Sequence, residues 1–378
     1  MSEGSALSRP LVVLSHLRWS FVWQRPQHLV SRLGPTNMCW FVEEPMPADV
    51  SEPTPRIEAS HGVTRVWLDL PRQEFADGHV GFGRRINELY DAALVAIGVP
   101  DDAIFWIYSP SALELAHWRR PALVVYDVMD DLSAFRGASP ALRLQQLQAF
   151  QSAGVVFAGG RSLYTAAARH AGSRAHLFPS GVDPDHYRPS RAKRRARPNA
   201  SPVAGYLGVI DERIDLGLVA GLAAELPEWR IRLVGPVAKI DPDELPTAPN
   251  IEYVGQRQYA ELPDVLAGFD VALMPFAIND ATRSISPTKT LEYFAAGLPV
   301  VSTRVADVVA DHGRTVRFAD DAAGFANACR AAWSDPAAAA GEVERTLELN
   351  RWDAIASRMR VLIEAALAVT VSEADETA

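Results

Sequence analysis

Lys289 and Glu292 stand three residues apart in the stretch Ser286-Pro287-Thr288-Lys289-Thr290-Leu291-Glu292-Tyr293, with Gly297 and Pro299 just beyond. Ser286 is a good helix N-cap, Pro287 fits the first helical position, and Gly297 followed by Pro299 ends the helix. At helical spacing Thr288, Lys289 and Glu292 share one face, while Leu291, Phe294 and Ala295 share the other. A helix start of this kind offers backbone N–H groups, a cation and a carboxylate together, which suits a phosphate and the hydroxyls of an attached sugar. The plainer reading is a weak surface ion pair at i,i+3.

Three further clusters carry polar chemistry. Gly205-Tyr206-Leu207-Gly208 runs into a turn holding Arg213; Gly208, Gly235 and Gly255 each close an apolar run, the last followed by Gln256. Glycines at several strand ends let a ligand approach the backbone, and Arg213 could reach a diphosphate. Asp127, Asp130 and Asp131 follow another apolar run. Asp130 and Asp131 are candidates for orienting or deprotonating an acceptor hydroxyl; a divalent metal site and a simple helix cap are the alternatives. Near the start, Trp23-Gln24-Arg25-Pro26-Gln27-His28 places Trp23, Arg25, Gln27 and His28 at a helix opening. Those side chains suit a sugar or phosphate, though Trp23 could equally pack the helix onto a sheet.

Apolar runs alternate with helical patterns over most of the 378 residues. Strands are expected at 11–15, 38–42, 63–68, 104–108, 123–127 and 155–158, then at 203–208, 231–235, 251–255, 271–275, 299–302 and 315–319. Helices are expected at 24–33, 83–97, 142–151 and 352–367. This alternation implies an α/β fold with parallel sheets covered on both faces. The length suggests two doubly wound domains facing one another, at 1–185 and 198–350, with the helix after 352 packing back on the first. The break falls at 183–202, where Arg191, Lys193, Arg194, Arg195 and Arg197 crowd together. They read as a solvated linker, with docking to anionic lipid as the alternative.

Several functions are excluded. No G-x-G-x-x-G follows the first strand, and no Walker loop, H-E-x-x-H or G-x-S-x-G is present, so dinucleotide, ATPase, zinc-protease and serine-hydrolase chemistries lack support. A net charge of −9 argues against general nucleic-acid binding. Two cysteines give no disulfide framework, and no apolar run approaches the roughly 20 residues that span a bilayer. A cytoplasmic location is expected, with the inner membrane face as an alternative.

These residues resemble bacterial GT-B glycosyltransferases of the large retaining group called family four, or group 1. The branch is one with W-Q-R-P-Q-H near the N-terminus and S-P-x-K-x-x-E-Y late in the chain. The matching pieces are Trp23 to His28, Tyr126 to Asp131, Pro179 to Asp183, Gly205 to Asp215, Asn250 to Gly255, Asp270 to Phe276 and Ser286 to Val301. The resemblance implies two Rossmann-like domains facing across a cleft, the second holding a nucleotide-diphosphate sugar. It implies Glu292 on the donor ribose, Lys289 near the diphosphate, Arg213 as a further phosphate contact, and an acceptor on the first domain. This chain departs from the pattern at Ser284, where the family has an acid, and at Val209, where it has arginine.

The expected function is therefore metal-independent sugar transfer to a glycan or lipid-linked acceptor in cell-surface polysaccharide or glycolipid synthesis. The donor is a substrate and no separate cofactor is expected. Nucleotide-sugar epimerisation and non-catalytic nucleotide-sugar binding are the competing functions.

Overall fold

The computed structural model describes residues 6–35, 38–76, 78–134, 139–196, 200–280, 282–283, 285, 287–336 and 340–377. Ser284 and Ser286 lie outside these. The chain divides into two units, Met1–Phe178 with Asp353–Ala378, and Pro179–Trp352.

The first unit contains strands β1 (Leu11–Ser15), β2 (Cys39–Glu43), β3 (Met46–Ala48), β4 (Thr54–Ser60), β5 (Val63–Pro71), β6 (Ile104–Ile107), β7 (Leu123–Val128), β8 (Val155–Ala158) and β9 (Ala175–Leu177). Among the described residues they form one sheet in the order β3-β5-β2-β1-β6-β7-β8-β9, with β4 antiparallel on β5 and the other pairs parallel. The central runs, such as Leu-Val-Val-Leu-Ser in β1, are buried throughout because helices cover both faces. The helix Trp352–Thr377 buries Ile355, Met359 and Ile363 along one stripe. Asp353 meets Arg32 at 2.6 Å, and Glu364 accepts from Ser8 Oγ at 2.7 Å, both within the first unit.

The second unit holds β10 (Val203–Leu207), β11 (Arg230–Val234), β12 (Ile251–Gly255), β13 (Val271–Met274), β14 (Val300–Ser302) and β15 (Val316–Phe318). They form an all-parallel sheet in the order β12-β11-β10-β13-β14-β15. The order reverses between β10 and β13, and open α/β sheets place ligands at the carboxyl ends of strands flanking such a switch.

The described part of the arginine-rich segment is not a solvated linker: it forms the helix Pro189–Ala196 within the second unit, and Arg197 lies outside the described residues. Arg194 donates to the carbonyls of Leu266, Ala296 and Gly297 at 3.1, 3.0 and 3.2 Å, and Arg191 donates to Phe294 O at 3.0 Å. These carbonyls lie at the ends of the helices Leu262–Ala267 and Lys289–Ala295, where a cation adds donors to the terminal carbonyls and offsets the helix dipole.

Candidate functional site

Gly208 follows β10 with φ +150 and Gly235 follows β11 with φ +148, a backbone region that side chains rarely occupy. A Cβ on Gly235 would lie 1.9 Å from Gly208 O, and one on Gly208 would lie 2.0 Å from Lys289 Cε. The two strand ends therefore touch, and the lysine stem lies directly over the first. Lys289 Nζ stands 5.6 Å from the centre of the Tyr206 ring, within cation–π range.

Lys289 heads the helix Lys289–Ala295, with Thr288 as its N-cap. This start is later than the spacing predicted, and Thr288 makes no side-chain cap bond. Tertiary bonds place the helix instead. Tyr293 Oη accepts from Leu207 N at 2.8 Å, tying it to the end of β10, and Thr290 Oγ1 donates to Met274 Sδ at 3.3 Å, tying it to β13. Lys289 and Glu292 thus sit beside the switch between β10 and β13.

Glu292 is part-exposed but closely surrounded. Burial pushes its carboxyl above the usual value, while Lys289 and the neighbouring Tyr187 pull it back. Tyr187, itself fully buried, was not singled out from sequence; it precedes the arginine helix, and nothing local links it to residue 292.

Arg213 is held by Asp211, two residues before it. Its Nε lies 3.0 and 3.1 Å from the two Asp211 carboxylate oxygens and its Nη2 lies 2.7 Å from Oδ2. Asp211 is buried, and the Arg213 side chain remains 24% exposed. Any anion approaching Arg213 meets a guanidinium whose charge is already shared. Gln256 is exposed beyond the end of β12, two strands from β10, which is about 10 Å along the sheet.

In the first unit, Trp23 to His28 form a largely self-contained assembly at the start of the helix Arg25–Leu33. Arg25 and Asp127 are fully buried, with Nε 3.0 and 2.9 Å from the two carboxylate oxygens and Nη2 at 2.8 Å. Arg25 Nη1 donates to Phe178 O at 2.7 Å. Gln27 Oε1 accepts from Gln24 N, and its Nε2 donates to the carbonyls of Arg18 and Trp19, both at 3.1 Å. Trp23 Nε1 donates to His28 Nδ1 at 3.3 Å. Arg25 and Gln27, expected to meet a ligand, instead shape the loop between β1 and its helix. His28 is also buried, whereas Trp23 stays part-exposed.

Asp130 and Asp131 follow β7 at the carboxyl edge of this sheet and are part-exposed. Asp131 accepts from Ser133 Oγ at 2.6 Å and from Ser133 N at 3.2 Å, as a turn-capping carboxylate does. Among the described residues no cluster of three or more His, Cys, Asp or Glu could hold a metal ion. No described helix is long and apolar enough to cross a membrane.

Residues 206–335 match the family model of glycosyl transferases group 1. The matched stretch lies within the second unit and contains Gly208, Arg213, Gly235, Lys289 and Glu292. A relative from Bacillus subtilis (strain 168), named as a teichuronic acid biosynthesis glycosyltransferase, TuaH, is 30% identical over 106 residues. The match spans 27% of this chain and 27% of that relative. Among solved structures, a sucrose-phosphate synthase from Thermosynechococcus elongatus superposes with a TM-score of 0.68 at 17% identity, over 96% of this chain and 100% of that one. A UDP-forming α,α-trehalose-phosphate synthase from Burkholderia xenovorans, in complex with glucose-6-phosphate, gives 0.71 at 15%, over 95% and 100%. A trehalose-6-phosphate structure from E. coli bound with UDP-2-fluoro glucose gives 0.65 at 14%, over 95% and 98%. The fold is the α/β, parallel-sheet fold of GT-B glycosyltransferases.

Proposed function

We propose that this protein transfers a sugar from a nucleotide-diphosphate donor to a glycan or lipid-linked acceptor in cell-surface polysaccharide or glycolipid synthesis. The observation carrying this reading is the lysine stem laid over Gly208, with Glu292 one turn away, at the β10/β13 switch of a group 1 domain. The resemblance to TuaH supports an envelope polysaccharide as the product class.

In this reading the diphosphate lies against the bare backbone of Gly208 and Gly235, where no side chain intervenes, and Lys289 meets its charge. Glu292 accepts from the ribose hydroxyls. As the glycosidic bond breaks, negative charge grows on the leaving diphosphate, and a fixed cation in a partly desolvated site stabilises it without a metal. Arg213 acts with Asp211 as a secondary, half-neutralised cation. Asp130 or Asp131 orients the acceptor hydroxyl and takes its proton. Arg25 and Gln27 act indirectly, by fixing the loop that Trp23 closes.

A thermal-shift panel of nucleoside diphosphates and their sugars, followed by transfer assays with the best donor, tests this. Lys289→Ala and Glu292→Ala should each lower transfer more than about tenfold with the fold intact, a loss of at least ~1.4 kcal/mol in transition-state binding. Unaltered kinetics in either variant would refute its assigned role. Tight nucleotide binding with neither transfer nor donor hydrolysis would favour a non-catalytic binder.

A further inference from the structure

The first unit contains a cavity of about 620 Å³ that the donor reading leaves unused. It is lined by the start of the helix Arg84–Ala96, by the helix Leu113–Trp118 and by the helix Pro140–Ser152. Its size falls within the range of small-molecule clefts, roughly 300–1,000 Å³, but its lining is unlike an apolar pocket. Trp118 is 38% exposed at one wall. Gln145, Gln148 and Gln151 come from another wall, spaced by three so that they fall along one side of their helix. Glu114 and Arg84 supply one charge of each sign.

The tryptophan stands on a fixed base. Arg119, next in sequence, is buried, donating to Val99 O at 2.7 Å and meeting Asp91 at 3.3 Å and Asp101 at 2.7 Å. Glu114 is steadied by Asn87 Nδ2 at 3.4 Å. Arg84 lies 3.6 Å from Glu88, so the wall carries little net positive charge for a polyanion.

We propose that this cavity binds a stretch of carbohydrate chain, as a glycan-holding site in the first unit separate from the donor-binding residues of the second. A sugar ring has an apolar C–H face and a rim of hydroxyls that both donate and accept. An indole face packs against the first. Carboxamides, each with a donor and an acceptor side by side, match the second, and a row of them suits successive residues of a chain. A phosphate-rich ligand would need more unpaired cations than this wall supplies, and a lipid tail would need fewer amides.

The test uses the full-length protein and saturation-transfer NMR with maltotriose, cellotriose, chitotriose and a glucuronate trisaccharide. At least one should bind, and both Trp118→Ala and the exposed-site variant Gln148→Ala should weaken it about tenfold. The thermal shift produced by a nucleoside diphosphate should stay unchanged in both, which separates this site from the donor reading. The proposal is overturned if no trisaccharide binds, if Gln148→Ala and a folded Trp118→Ala both bind as the parent does, or if inorganic phosphate displaces the sugar. Should Trp118→Ala fail to fold, Gln148→Ala decides alone.

Discussion

At Glu292, burial and function pull one carboxyl in opposite directions. Desolvation raises its pKa in the folded state, and Lys289 only partly opposes it. A raised folded value means the neutral acid favours the fold. Its stabilising contribution is complete below the unfolded carboxyl range, about pH 4, and is lost as pH climbs through the folded value. Glu292→Gln mimics the neutral form, so its melting temperature should match the parent near pH 4 and exceed it at neutral pH. The same substitution removes one acceptor for ribose, so nucleotide affinity should fall about tenfold. Calorimetry across pH and a nucleotide titration check both halves. Sequence showed Lys289 and Glu292 sharing a helix face, because i,i+3 spacing is local. It could not show Asp211 gripping Arg213, or Arg25 paired with Asp127 across 102 residues, because an arginine looks alike whether it faces a ligand or a carboxylate.

The elements marked by a local apolar run or a period of 3.6 residues were readable; those held by long-range pairing were not. Buried parallel strands such as β1 and β8 are short apolar runs with the expected bounds. The edge strand β4 carries Pro55 and Arg56, is largely exposed and has no apolar alternation. Its register comes from a two-residue turn, His61 and Gly62, both with positive φ. The arginine helix is illegible in sequence for a related reason: its partners are backbone carbonyls at other helices' ends, which no side-chain pattern announces. Arg194→Ala should destabilise the second unit by about 1.5–3 kcal/mol, the value of a charged hydrogen-bonded group. Arg194→Lys should recover only part, since one ammonium cannot span three carbonyls. Urea unfolding measures both.

At the scale of the molecule, the two units have separate buried cores, one built around β1 and β6 and the other around β10 and β13. A nucleoside diphosphate at 100 times its Kd should add about 2.7 kcal/mol to the unit that binds it. Hydrogen exchange should then slow in peptides covering 203–213 and 287–296 while the strands of the first unit keep their rates; equal slowing in both would show that the units unfold together. The division of the chain has a further consequence. Residues 179–352 form one uninterrupted unit, whereas the first unit needs the helix after 352. On the ribosome, the segment that supplies Ile355, Met359 and Ile363 emerges only after the whole second unit has been made. The unit begun earlier must therefore wait, its stripe-binding surface uncovered, until the later one has been synthesised. Nascent chains stalled just short of residue 353 would be the ones most prone to capture by chaperones.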